Sequence, residues 1–454
     1  MKALRTIFPV VATLGAVGLL LSGCDSTVQR FPSNRVHQLV VQTSRDVATD
    51  AAMTDVQQVV TTWFGTPNAP VWPSDWIENN EGKRLVDLEN LKRASGRVYS
   101  DKQNRHFGLY TEHCVTCHGI AGGGDGPASL LQNPYPRDFR AGVFKWKSTE
   151  RNAKPTRQDL QKLLVRGIPG TGMPSFSRVD IDDRNAIVDY LIYLAVRGEF
   201  ERKLLSDAVD ELGYEDTKPD DDADLKALVS ITPESVAGGS LPVALEVAQD
   251  RLNEIVGDWV DADQKVIPVP EESKFDSLSV DRGTALFHAK AGGVVNCAGC
   301  HGPEGDASVT TVDFDDWTKE FTTKLSISPE DRDAVKPFRA AGALRPRQIF
   351  PRKLSDGVYR GGAQGEALYR RIVSGIAGTP MPAAPVGSEA SEKQLSPQQV
   401  WDLVHYVQTL GGVPVPSEGS SSVETNADVP LNRPGDQQAP VKDAPVQDET
   451  GAQQ

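Results

Sequence analysis

Two five-residue strings, Cys114-Val115-Thr116-Cys117-His118 and Cys297-Ala298-Gly299-Cys300-His301, constrain this chain more than anything else in its 454 residues. The chain holds five cysteines, and these strings use four of them. A Cys-x-x-Cys pair alone reads equally as a disulfide, a redox pair or half of a zinc site. None of those readings explains a histidine directly after both pairs. Two thiols at this spacing reach the two vinyl groups along one edge of a porphyrin, and the next residue falls beneath the iron. The pattern therefore predicts two covalently attached c-type haems, held by Cys114 and Cys117 and by Cys297 and Cys300, with His118 and His301 as proximal iron ligands.

Methionine is scarce, with four in the chain, and two of the four sit in matching contexts: Gly170-Thr171-Gly172-Met173-Pro174 and Gly378-Thr379-Pro380-Met381-Pro382. A methionine is ordinarily core filler. Repetition in a chain so poor in methionine favours Met173 and Met381 as distal ligands, the soft thioether favouring ferrous iron. Pro136-Arg137 and Pro351-Arg352 occupy the same place ahead of the two methionine loops, so Arg137 and Arg352 are candidates for contact with haem propionates, a solvated role being the alternative. Pro127, in a glycine-rich loop after His118, is the expected carbonyl acceptor for the histidine Nδ1–H. His113 and His405 read as surface residues.

These signals form an internal repeat. The helix expected over Asp182 to Val196 carries Ala186, Ile187, Tyr190, Leu191 and Leu194 on one face. Its counterpart begins at the capping box Ser396-Pro397-Gln398-Gln399 and continues through Val400, Leu403, Val404, Val407 and Leu410. The expected organisation is a lipoprotein signal over 1–23, an N-terminal anchor and spacer over 24–100 with one helix near Thr54 to Trp63, a haem block over 101–200, an acidic linker over 201–280 with a helix from Val243 to Trp259, a larger haem block over 281–412, and a disordered tail over 413–454. The signal rests on Lys2 and Arg5, the apolar run from Ile7 to Leu21, and Leu21-Ser22-Gly23-Cys24, which resembles a lipobox; Cys24 would be lipidated.

The two blocks resemble class I c-type cytochromes, on the attachment motifs, the methionine loops, the terminal helices, and Gly283 four residues before Phe287. The resemblance implies a mostly α fold: two class I cytochrome c-like helical domains joined by an acidic linker, with the first and last helices of each domain crossing. With the lipobox, the chain is similar to membrane-anchored di-haem cytochromes that serve haem-copper oxidases or quinol-oxidising complexes. That likeness implies an exported protein on the periplasmic side, held to the cytoplasmic (inner) membrane through Cys24, carrying single electrons between respiratory complexes without catalytic activity of its own. No nucleic-acid partner is expected of this chain, whose net charge is −14. The competing reading is a di-haem redox enzyme such as a peroxidase or thiosulfate-type dehydrogenase, in which one iron would have to open a coordination position.

Overall fold

A computed structural model describes residues 29–215, 218–219, 226–231, 242–289, 293–308 and 313–416. The expected lipoprotein signal with Cys24, the Asp220-Asp221-Asp222 run and nearly all of the expected tail lie outside the described residues. As expected, the chain is mostly helical, its strands among the described residues being three two-residue antiparallel ladders.

In the first half the helices among the described residues include α1 (Arg35–Arg45), α2 (Asp50–Phe64), α3 (Leu88–Ala94), α4 (Leu109–His113), α5 (Val115–His118), α6 (Arg157–Arg166), α7 (Ile181–Asp210) and α8 (Val243–Val260). The organising element is α7. Asp180 caps its first turn, where Asp182 and Asp183 favour the positive end of the helix dipole. Its sequence reads as amphipathic at the start, yet from Ala186 to Glu201 every residue is buried. A helix buried all round needs cover on every side. That cover comes from α2, α3 and α8, which lie in the regions expected to be spacer and linker.

The expected spacer, from residue 29 onward, is thus folded core. Trp63 stacks between Trp76, at 4.9 Å, and Phe200 of α7, at 5.2 Å, and the Tyr193 hydroxyl donates to the Phe64 carbonyl at 2.6 Å. The expected linker is likewise folded where it is described. α7 runs on to Asp210, α8 packs along it, Arg251 of α8 bonds Asp207 through both Nε and Nη2, and Val266 bridges Thr149 of the first block. These segments look like spacers because their apolar residues are spread between acidic ones. Their stability comes from tertiary packing on α7 rather than from a self-contained pattern.

The second half contains α9 (Ser277–Phe287), α10 (Ala298–His301), α11 (Asp316–Glu320), α12 (Arg332–Ala340), α13 (Gly365–Ser374) and α14 (Pro397–Leu410). The capping box of Ser396 and Gln399 forms as expected, with Pro397 in the first turn. α9 crosses α14 at Gly283, where a Cβ atom would stand 2.0 Å from the Asp402 carbonyl oxygen, so only glycine admits this approach. In the first half the corresponding helix is cut to α4, preceded by the short strand His106–Phe107, and Tyr110 meets Tyr190 of α7 with ring centroids 5.0 Å apart.

His405 corrects a sequence expectation: it is fully buried. Phe275 stacks on it at 4.5 Å, and Nε2 lies 3.1 Å from Glu272 Oε1, because the end of the expected linker folds over α14. Asp189, its counterpart in the repeat, is buried too and pairs with Arg157 at 2.6 Å.

The greater length of the second block lies in residues 313–349, between the attachment motif and the methionine loop. They build a small core of Phe321, Val335, Phe338 and Ala343, against which Val36, Leu39 and Val40 of α1 pack. Glu320 fixes this insertion by pairing with Arg202 of α7 and accepting from His37 of α1 at 3.1 Å. Burial alone would raise the Glu320 carboxyl, but Arg202 and His37 outweigh it and hold it down at about 2. Among the described residues, no helix is long and apolar enough to cross a membrane.

Gly283→Val should separate α9 from α14 and lower unfolding free energy by about 2–3 kcal/mol in a chemical denaturation titration. Glu320→Gln should cost about 1–2 kcal/mol at neutral pH, since it removes a charge-assisted pair. Because the folded-state carboxyl titrates below its usual 4.5, the wild-type advantage should be complete above that pH and vanish as pH falls through about 2, as read from thermal melts across that range.

Candidate functional site

Both attachment motifs fold alike. Cys114 and Cys297 stand at the N-terminal end of one-turn helices, with Cys117 N–H bonded to the Cys114 carbonyl and Cys300 N–H to the Cys297 carbonyl, each at 3.1 Å. The histidine N–H groups reach the same carbonyls, each at 2.8 Å. This turn sets both thiols and the imidazole on one side of the helix. All four cysteines are free. Burial pushes the Cys114 thiol up to about 12 and the Cys297 thiol up to about 11.

The two proximal histidines are oriented by backbone, and here the structure corrects the sequence reading. His118 Nδ1–H donates to the Arg137 carbonyl at 3.0 Å, and His301 Nδ1–H donates to the Arg352 carbonyl at 3.0 Å. Pro127 does not take this role. Its loop is closed by its own bonds, Gly124 N–H to His118 O at 2.9 Å and Gly126 N–H to Cys117 O at 3.2 Å, while the chain returns beneath the ring only at Arg137. A donor at Nδ1 leaves Nε2 as the free lone pair, the tautomer a metal ligand needs. Burial lowers both histidines from their ordinary range, keeping them neutral. Phe139 stacks on the His118 ring at 4.6 Å and fixes its rotation.

The methionine loops repeat bond for bond. Ile168 N–H donates to Met173 O at 3.1 Å, Thr171 N–H to Ile168 O at 3.2 Å, and Met173 N–H to Thr171 Oγ1 at 3.1 Å. In the second loop Ile376, Thr379 and Met381 make the same three contacts at 3.2, 3.2 and 3.3 Å. Cys114, Cys117, His118, Arg137 and Met173 line one crevice, whose walls include Phe144, Leu164 and Leu191. His113, expected at the surface, is half-buried, lines the same crevice and meets Phe176 edge-on.

Trp317 and Arg360 of the second block also line that crevice. Trp317 lies between two cations of the first block, Arg137 at 4.2 Å and Lys145 at 4.8 Å from its ring centre. Across the same seam, Cβ positions built at Gly170 and Gly378 lie 3.3 Å from Arg352 Nη2 and 3.4 Å from Arg137 Nη1, so each motif arginine reaches toward the other block's methionine loop. Several cationic N–H groups here are buried with no hydrogen-bond partner: Nη1 of Arg137 and Nε of Arg166, Arg352 and Arg360. Burial pulls Arg137, Arg360 and Arg371 down to about 10, and Lys145 down to about 7. Unanswered donors on buried cations beside attachment thiols fit a flat apolar group that carries carboxylates. The sequence pointed to Arg137 and Arg352 through their repeat. Lys145, Trp317 and Arg360 carried no such signal, because they meet only when the two blocks are docked.

Residues 107–195 and 280–411 match the family model described as cytochrome c. No curated protein matches the sequence. Among solved structures, a chain of the reducing HAO-like protein complex of Kuenenia stuttgartiensis is 21% identical over 67% of this chain and 94% of that one, with a TM-score of 0.40. Replacing Arg137 with Gln leaves the backbone acceptor of His118 in place while removing a buried cation. It should lower the midpoint potential of a haem bound at Cys114 and Cys117 by on the order of 50 mV, as read by spectroscopic redox titration.

Proposed function

We propose, taking residues 107–195 and 280–411 as cytochrome c domains, that this chain is a di-haem electron carrier, with Cys114, Cys117, His118 and Met173 holding one haem and Cys297, Cys300, His301 and Met381 the other. Such a group supplies a one-electron couple at iron. The observation that carries the proposal is the duplication: two sets of thiols, backbone-oriented histidines and identically bonded methionine loops on one chain. A histidine and a methionine on each iron leave no open position, which suits outer-sphere transfer rather than substrate turnover. The chain's own part is to hold the imidazoles neutral and fixed, to keep water from the iron with Phe139, Phe144 and Leu191, and to answer propionates with Arg137, Lys145, Arg352 and Arg360. Cations of both blocks share one seam, so each domain would contribute to the surroundings of the other's haem. Lipidation at Cys24 would hold the chain to the outer face of the cytoplasmic membrane, on the periplasmic side, within reach of a quinol-oxidising complex and a haem-copper oxidase as donor and acceptor.

Pyridine haemochrome analysis of the purified protein should return two c-type haems per chain, the oxidised spectrum should carry the methionine-to-iron charge-transfer band, and carbon monoxide should leave the reduced spectrum unchanged. A haem that binds carbon monoxide in the wild type would replace the carrier reading with a di-haem enzyme. Cys24→Ser should release the protein from membranes into the soluble periplasmic fraction; unchanged membrane retention would remove the lipid-anchor proposal.

A further inference from the structure

The methionine loops share their internal bonds but not their external support. Arg151, on the loop before α6 in the first block, reaches into the second block and grips the loop of Met381. Its Nη1 donates to the Met381 carbonyl at 2.7 Å and its Nη2 to the Thr379 carbonyl at 2.9 Å. A guanidinium fork on two carbonyls of one short loop fixes direction as well as distance.

The fit is built from both sides. At both Gly167 and Gly375 a Cβ would run into the backbone of its own methionine loop, Pro174 at 2.6 Å and Pro382 at 2.5 Å, and at Gly375 it would also stand 2.6 Å from Arg151 Nη1. Among the described residues, no side chain of the second block donates to the Met173 or Thr171 carbonyl in return.

Arg151 itself is anchored to the first domain's core. Glu150 N–H bonds the Lys265 carbonyl at 3.0 Å, the buried Thr149 hydroxyl bonds the Lys154 carbonyl at 2.7 Å, and Lys154 makes a buried pair with Glu199 of α7 at 2.7 Å. A chain of short contacts therefore runs from α7 to the backbone of Met381.

We propose that Arg151 is a cross-domain positioning residue for the second haem's distal ligand, so that ligation of that iron depends on the docking of the first domain while ligation of the first iron does not depend on the second in the same way. This rests on the reading of Met381 and Met173 as axial ligands. The thioether–iron bond is weak, so a loop freed from Arg151 would release Met381 for part of the time and admit an external ligand.

The test uses the full-length, haem-loaded protein and carbon monoxide as the probe. Arg151→Gln should bind carbon monoxide at one haem per chain, and Arg151→Lys, which keeps the charge but loses the fork, should bind a smaller fraction. Arg347→Gln serves as the seam control: Arg347 donates to the Gln132 carbonyl and lies over Tyr135, crossing between the blocks without touching the Met381 loop. It should stay inert to carbon monoxide. Met381→Ala should bind one equivalent, and adding Arg151→Gln to it should bind no more. Adding Arg151→Gln to Met173→Ala should raise binding from one equivalent toward two.

Carbon monoxide inertness of Arg151→Gln, with the methionine band undiminished, would overturn the proposal and leave the ligand reading standing. Equal opening of a haem by Arg347→Gln would overturn it too, since seam loosening would then be the cause. Wild-type protein without the methionine band would instead remove the ligand reading itself. Should Arg151→Gln fail to accumulate with two haems, the carbon monoxide occupancy of Arg151→Lys decides.

Discussion

The first half of this molecule is hung on a helix that cannot face water. From Ala186 to Glu201 the side chains of α7 are buried on every side, including Arg197 and Glu201, which pair with each other at 3.1 Å, and Arg197 also lies under the Phe31 ring. Such a helix is stable only with neighbours all round it, and burial of its large aromatic residues is a strong drive to recruit them. The first haem crevice takes one flank through Leu191. The N-terminal helices take another, and α8 takes a third. Because these neighbours are supplied by segments far apart in sequence, one helix turns what would be a small helical domain plus flanking chain into a single packed body, which meets the second block through Arg202 and Glu320.

That arrangement explains which features were legible in the sequence. Local rules were sufficient where the chain acts locally: the Ser396 and Gln399 capping box, the first turn of α7 and the two attachment turns follow from residues next to one another. The methionine loops were found by their repetition, and their shared bonding explains the shared letters, since Thr171 and Thr379 each use the hydroxyl to hold the following methionine. His405 was misplaced because a helix pattern shows which face is apolar but not what distant segment will cover the polar one. Pro127 differs from this. Any residue carries a carbonyl, so a backbone acceptor leaves no mark on the sequence, and the conspicuous arginines at 137 and 352 suggested side-chain roles while their carbonyls did the orienting.

Electrostatics divides the same way. The chain's net charge of −14 describes the whole, yet the seam between the blocks gathers Arg137, Lys145, Arg166, Arg352, Arg360 and Arg371, with buried donors among them unanswered. Concentrating cations away from water is unfavourable unless anions accompany them. The propionates of two haems would be such anions, and the seam would then be held by the cofactors as much as by protein contacts. Domain docking and cofactor binding would be coupled, each domain completing the surroundings of the other's group.

The insertion at 313–349 bears on how such a chain reaches this state. His37 meets Glu320 across a separation of 283 residues, and the small core around Phe321 and Phe338 is completed by α1. Contacts so distant in sequence are slow to find, because closing a long loop costs chain entropy before any contact repays it. A chain emerging amino-terminal end first would present α1 early, and that helix would wait for the last third of the sequence before its final partner arrived. The attachment turns, by contrast, are complete within five residues. Haem would therefore find its thiols ready on a chain whose global topology is still open, and the long-range closure through Glu320 would then seal an already loaded protein.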